Sequence, residues 1–223
     1  MYHRLNRPEP HSSLSVSPRT FAWQVEQLGK WRFHFLSLDE VIDRGTKIPL
    51  LERAVALTFD DGFCDNYETG FSLLIRRKIP AAVFVVVDWV GRENFLTWKE
   101  IRELSDSGIT IGSHALSHRW LPDIADDQEL RREVCNSKRK IEDEIGKEVK
   151  YFCYPVGGVD ERVANLAQEA GYRAGFVASA RPFVRIKNGF FSVRRLKVSN
   201  KDSTYIRLGV KAFGVKGMLW DIT

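Results

Sequence analysis

Uninterrupted apolar runs alternate along this chain with segments whose apolar residues recur every three or four positions. Runs at 33–36, 54–59, 81–87, 109–113, 151–155, 172–178 and 190–198 read as strands, most of them buried on both faces as in a parallel sheet covered by helices. Helical periodicity fills the gaps between them. Ser17 and Pro18 read as the N-cap and first position of a helix with Phe21, Val25 and Leu28 inward and Gly29 as its stop. Residues 38–42 predict a short helix ending near Gly45, and 67–77 a longer one with Phe71, Leu74 and Ile75 inward. Thr97 and Glu100 form a capping box that opens a helix closed by Gly108. A long charged helix is expected over 126–145, with Leu130, Val134, Ile141 and Ile145 on one face, and another over 161–170. Strand, loop and helix recurring at roughly thirty-residue spacing predict βαβ units within one α/β domain covering 1–223.

The chain is organised around the run at 54–59, because it ends abruptly in Asp60, Asp61 and Gly62. Acids at the carboxyl end of a buried parallel strand lie where α/β sheets and barrels keep their active sites. Adjacent buried carboxylates are costly unless a cation or a shared proton relieves them. Composition excludes some sources of that cation. The 34 basic and 29 acidic residues, net +5, are interspersed, and no dense basic run interleaved with aromatics suggests nucleic acid as a partner. Cys64, Cys135 and Cys153 are widely spaced and odd in number, which fits a reduced compartment or no use for disulfides. With no apolar leader-like region near Met1 and no run of about 18 apolar residues, the expectation is a soluble, cytoplasmic protein as given, or an exported one if a leader precedes this sequence.

His114 and His118 follow the run at 109–113 directly and stand four residues apart. Two imidazoles and one Asp make a three-ligand set for a divalent ion, with positions left for water and substrate. An isolated His-x-x-x-His reads as two surface histidines. Here the His pair and the Asp pair both fall at strand ends on one side of the predicted sheet, which favours the metal.

Thr58-Phe59-Asp60-Asp61-Gly62, His114 to His118 and Tyr154-Pro155-Val156-Gly157 resemble, in order and spacing, the three motifs of the NodB-homology polysaccharide deacetylases, carbohydrate esterase family four. The third has the form found in the exopolysaccharide-deacetylase branch, where Met1-Tyr2-His3-Arg4, Leu96-Thr97-Trp98 and the segment 160–171 also have counterparts. The resemblance implies a distorted, TIM-like (β/α) barrel with seven parallel strands. It also implies metal-dependent removal of N-acetyl groups from the amino sugars of a surface or extracellular polysaccharide or its precursor.

An acetamide is a poor electrophile, so its hydrolysis needs a polarised carbonyl and a nucleophilic water, and one metal, zinc or else cobalt or nickel, supplies both. On the family pattern Asp61, His114 and His118 hold that ion, and Asp60, directed differently, is the general base. The Val156 N–H joins the metal in stabilising the oxyanion. No histidine follows His118, so the family's late Leu-x-His acid is missing. His3 matches an early Tyr-His of the branch, which resembles a circular permutation in which the first strand replaces the usual last one, and is the candidate acid. His11 lies in a polar loop, and His34 is expected to be packed inside its strand. Three departures stand out: Ala115 where Ser or Thr is common, Cys153 where many members pair an Arg with the base, and Val156 in place of an aromatic. Arg194 or Arg195 could take over that pairing, or both could be surface charge.

Trp120 and Tyr154 are candidates for substrate contact, whereas Trp89 and Trp98 read as core or rim aromatics. The segment 205–220 mixes apolar residues with Arg207, Lys211 and Lys216, and packing across the barrel bottom is expected over contact with a membrane surface. Two alternatives to deacetylation are hydrolysis of another C–N bond, in a ureide or cyclic imide, and a degenerate carbohydrate-binding protein. The joint presence of Asp60, Asp61, His114 and His118 argues against the second. The pattern leaves the oligomeric state open.

Overall fold

The computed structural model describes residues 1–6, 12–44, 53–178 and 189–213. Ser17 caps α1 (Pro18–Lys30) by accepting the Thr20 N–H, and Phe21, Val25 and Leu28 are buried as their spacing requires. Next come β1 (His34–Phe35), α2 (Leu38–Arg44) and β2 (Ala54–Val55). β1 and β2 pair only with each other, so the expected strand at 33–36 stays outside the main sheet, and the run at 54–59 is split at Ala56. His34 is exposed rather than packed, because alternation turns Phe33 inward instead.

The main sheet is parallel and follows chain order: β3 (Leu57–Phe59), β4 (Ala81–Val85), β5 (Thr110–Ser113), β6 (Tyr151–Cys153), β7 (Ala174–Ala178) and β8 (Val193–Arg195). Helices connect the strands. A π-helical turn (Asn66–Phe71) runs into α3 (Ser72–Arg76), and α4 (Trp98–Asp106) opens on the expected Thr97–Glu100 capping box. The predicted long helix is present as α5 (Asp127–Arg131), a π-helical turn (Arg132–Asn136) and α6 (Ser137–Ile145), ending on left-handed Gly146. α7 (Glu161–Glu169) and α8 (Tyr205–Phe213) complete the set. Ile75, expected inward, is exposed at the edge of its short helix. No helix among the described residues is long and apolar enough to cross a membrane.

Curling brings β3 and β8 near each other, and the first two residues fill the gap. The Tyr2 N–H donates to the Thr58 carbonyl at 2.8 Å and the Asp60 N–H to the Tyr2 carbonyl at 3.0 Å. On the other side the Met1 nitrogen donates to Leu196 O at 2.6 Å and the Val198 N–H to Met1 O at 3.0 Å. Tyr2 thus occupies the seventh place in the ring as a single parallel bridge to Phe59. Its ring stacks on Phe59 at 5.3 Å and meets Phe21 edge-on at 5.2 Å, which ties the closure to α1.

Strand alternation separates two apolar layers. Val83, Val85, Phe152 and Val177 face the helices, whereas Ala82, Phe84, Cys153 and Phe176 share an interior cluster with Leu38 and Ile42 of α2. α2 therefore plugs one end of the barrel. Its Asp39 accepts from Tyr151 at 2.6 Å, Arg173 at 3.0 Å and Lys150 at 3.2 Å, all near the amino-terminal ends of β6 and β7. This corrects the expectation that 205–220 crosses the barrel bottom. The described part of that segment, α8, packs instead on Trp23, Trp31 and Phe33, with Ile206 and Val210 exposed, and 214–220 lies outside the described residues.

Gly112 shows how full the interior is, since an added Cβ there would meet Phe84 ring carbons at 2.4 and 2.6 Å. Gly112→Ala is expected to lower stability in urea by about 1–3 kcal/mol through overpacking. Gly29→Ala in α1, with no atom within 4 Å of the new Cβ, should be neutral or stabilising by up to about 1 kcal/mol. Equal effects would mean that Phe84 does not fill the barrel at this level.

Candidate active site

The end of the barrel opposite α2, at the carboxyl ends of the strands, collects the chemistry. Asp60 follows β3, His114 follows β5, and Cys153 and Arg195 are the last residues of β6 and β8. Asp61 adopts a left-handed conformation (φ 72°), as does Gly62 (φ 77°), where a Cβ would sit 3.2 Å from Val85 Cγ1. This turn separates the neighbouring acids, directing Asp60 toward Arg195 and Asp61 toward the histidines.

Asp60 and Arg195 form a buried bidentate pair, with Nη1 to Oδ1 at 2.6 Å and Nη2 to Oδ2 at 2.7 Å. Arg195 also donates to Thr58 Oγ1 at 3.1 Å and to Cys153 Sγ at 2.9 Å. This resolves the alternative left by the sequence. Alternation along β8 exposes Arg194 and buries Arg195, and Cys153, lying where an Arg is common, makes room for the guanidinium arriving from β8. Burial alone would raise the Asp60 carboxyl, but the charge and hydrogen bonds of Arg195 outweigh it and hold the group at about 2.

Asp61 Oδ1 lies 3.4 Å from His114 Nε2 and 3.3 Å from His118 Nε2, and it is buried with no hydrogen-bond partner. These separations suit a shared cation. Ligands on a tetrahedral ion at about 2.0–2.1 Å are roughly 3.3–3.4 Å apart. His114 Nδ1 lies 2.6 Å from the Cys153 carbonyl, which fixes that nitrogen as the donor and turns Nε2 toward Asp61. Burial would raise the Asp61 carboxyl, but the two imidazoles hold it well below the usual carboxylate range. Trp89 packs on His118 with ring centroids 4.8 Å apart, a supporting role the sequence did not single out.

His3, brought in by the closing segment, is half-buried, and its Nδ1 is buried without a hydrogen-bond partner. Burial lowers its imidazole below the ordinary value, opposed chiefly by the nearby charges of Asp60 and Asp61. His3 therefore shares the electrostatic environment of the two acids, whereas His34 is elsewhere and His11 lies outside the described residues. Val156 caps the end of β6 in a left-handed conformation (φ 57°), strained for a β-branched residue, and is exposed. Trp120 packs against Gly158, where a Cβ would meet its ring at 2.5 Å, so it belongs to the same loop cluster as Val156. Tyr154, a candidate for substrate contact, is turned away from solvent. It is buried between Phe152 and Gly175, because the chain turns at Pro155 only after this side chain has pointed into the helix layer. Cys64 is partly buried, and burial together with Asp65 and Glu68 raises its thiol, which gives no reactive thiolate.

Comparison with known proteins matches residues 47–175 to the polysaccharide deacetylase family. YxkH of Bacillus subtilis (strain 168) is 28% identical over 148 residues, 66% of this chain and 52% of that protein. The poly-beta-1,6-N-acetyl-D-glucosamine N-deacetylase of Staphylococcus aureus (strain MRSA252) is 26% identical over 195 residues, 82% of this chain and 67% of that protein. The chain thus spans about half the length of the first relative and two thirds of the second. The fold matches that of the Streptococcus pyogenes deacetylase PplD, solved in complex with acetate, with a TM-score of 0.83 at 22% identity over 96% of each chain.

The Asp60–Arg195 pair makes a pH-dependent prediction. Arg195→Met strands a buried carboxylate and should cost roughly 3–5 kcal/mol at pH 7. A depressed folded-state pKa stabilises above the unfolded value and loses that contribution as pH falls from 3.8 to about 2. In the variant the Asp60 pKa is raised, so protonation stabilises it on the way down. The stability gap between wild type and variant, measured by urea unfolding, should therefore narrow steadily below pH 7. A gap independent of pH would show that Arg195 does not set the charge state of Asp60.

Proposed function

This chain belongs to the polysaccharide deacetylase family, and from that premise we propose that it hydrolyses the N-acetyl groups of an amino-sugar polymer at a site built on a divalent ion. The observation that carries this reading is the pairing of two differently prepared acids. Asp61 faces two imidazoles at 3.3 and 3.4 Å with an unpartnered oxygen, and Asp60 beside it is ionised and clamped by Arg195. We assign Asp61, His114 and His118 as the ligands, and their separations favour a tetrahedral ion such as zinc, with cobalt or nickel as substitutes. When bound, the ion supplies a Lewis acid for the acetamide carbonyl and acidifies water.

The remaining work falls to the protein's own groups. Asp60 takes the proton of the attacking water, and the bidentate guanidinium of Arg195 fixes the orientation of the carboxylate. That clamp keeps Asp60 ionised but makes it a weak base, so its catalytic contribution rests on orientation more than on proton affinity. The Val156 N–H, held by the strained turn after Pro155, donates to the developing oxyanion. His3, in its imidazolium form, gives a proton to the departing amine from the segment that closes the barrel and is left as neutral imidazole, and Trp120 lines the sugar subsite. An N-acetylglucosamine polymer is the proposed substrate class, by likeness to the Staphylococcus aureus relative.

Purified protein should contain about one divalent ion per chain and release acetate from N-acetylated glycans, and chelation should abolish the activity. Asp61→Asn should lose the ion, whereas Asp60→Asn should keep it and lose roughly two to four orders of magnitude in rate. Elemental analysis finding no ion, with no hydrolysis on adding zinc, would overturn the assignment. So would equal metal loss in the two variants.

His3→Gln makes a separate prediction. Metal content should be unchanged and amide hydrolysis should fall by roughly 10²–10⁴-fold, while an activated acetate ester, whose leaving group needs no proton, is hydrolysed nearly as before. Wild-type amide rates in this variant would remove His3 from the mechanism.

A further inference from the structure

We infer that Glu133 is a positioning residue that sets the conformation of the loop carrying His114 and His118. The inference rests on the reading of these histidines as metal ligands. Glu133 is buried, with 6% of its surface exposed, yet it belongs to a charged stretch of helix where a surface position would be ordinary. Its carboxylate is fully engaged by the loop. Oε2 accepts the N–H groups of Leu116 and Ser117, both at 3.0 Å, and Oε1 accepts the Ser117 hydroxyl at 2.5 Å.

The loop needs such a partner. Ala115 and His118 both have positive φ, 63° and 64°, so the backbone cannot continue the sheet, and its N–H groups between the two ligands must be satisfied by side chains. The opposite edge of the loop is already fixed, because Val87 and Asp88 donate their N–H groups to the carbonyls of Ala115 and Leu116. Glu133 holds the other edge. A second bond runs parallel to it, from the Ala115 N–H to Ser113 Oγ at 3.2 Å, with Ser113 Oγ linked to Ser137 Oγ at 2.8 Å.

Both supports come from the same helical feature. Glu133 lies within the π-helical turn at Arg132–Asn136, and Ser137 follows it immediately and donates to the Val134 carbonyl at 3.0 Å. Four positions apart, residues 133 and 137 share one helix face and meet the loop together. Ala115 lacks the hydroxyl usual at its position. The Ser117 hydroxyl and Glu133 supply the missing brace from two residues further along. An ionised carboxylate suits three converging donors better than any neutral side chain of that size.

The test measures zinc affinity by competition with a chromophoric chelator and amide hydrogen exchange at Leu116 and Ser117 in the metal-free protein. For folded Glu133→Ala, zinc affinity is expected to fall roughly 10- to 100-fold, the usual effect of losing an outer-shell partner, and the two amides should exchange faster. Glu133→Gln keeps one oxygen for the two N–H groups and should stay within about threefold of wild type in affinity. A merely structural role would lower the melting temperature while leaving affinity and exchange in the folded protein unchanged, and that result overturns the inference. Where Glu133→Ala fails to fold, Ser117→Ala decides. Unchanged affinity and exchange in it refute the brace, and a loss of about threefold or more supports it. A wild-type protein that binds no zinc would refute the metal reading instead, and the exchange rates alone would then decide the role of Glu133.

Discussion

Two neighbouring carboxylates are buried at the end of one strand, and each must be matched by positive charge on its own side. Removing an ion from water costs several kcal/mol even after relaxation, so neither Asp60 nor Asp61 can be left to itself. The left-handed turn at Asp61 separates their directions. Asp60 receives a permanent cation from the chain, Arg195, in bidentate geometry inside the barrel. Asp61 receives only two imidazoles, at distances suited to a shared ion and too long for good hydrogen bonds. One acid is thereby held as a fixed, ionised carboxylate, and the other faces two imidazoles with an oxygen that has no hydrogen-bond partner.

The rest of the architecture serves that division. Arg195 reaches Asp60 because the sheet curls until β8 comes near β3, and the curl is held by Met1 and Tyr2, which bond to both edges. The residue after this closure is His3, so the segment that completes the ring also carries an imidazole to the acids. At the other end α2 fills the barrel with Leu38 and Ile42 and ties Asp39 to β6 and β7, leaving the carboxyl end as the face for chemistry.

The supporting groups are drawn from several elements. The small sulfur of Cys153 leaves the space that Arg195 enters from another strand. Two residues beyond Ala115, the Ser117 hydroxyl donates to Glu133 and ties the loop to the helix. His114 is oriented by a backbone carbonyl, that of Cys153, so the residue that makes room for the guanidinium also holds a ligand's tautomer.

The sequence by itself determined the elements and the chemical inventory. Apolar runs marked the parallel strands, the Thr97–Glu100 box and Ser17 marked helix starts, and the Asp pair with the His pair marked a cation site, because these signals are local and set by backbone periodicity and side-chain type. Tertiary structure decided every question that depended on direction or on partners distant in the chain. The choice of Arg195 over Arg194 follows from which face of β8 looks inward, and the burial of Tyr154 from the position of the turn at Pro155. The separation of β1 from the main sheet and the use of α2 rather than α8 as the plug depend on competition among apolar segments for one interior. Glu133 looked like one charge among many in a solvated helix. Only the tertiary packing, which sets its carboxylate against a loop 16 and 17 residues earlier in the chain, ties it to the backbone between His114 and His118.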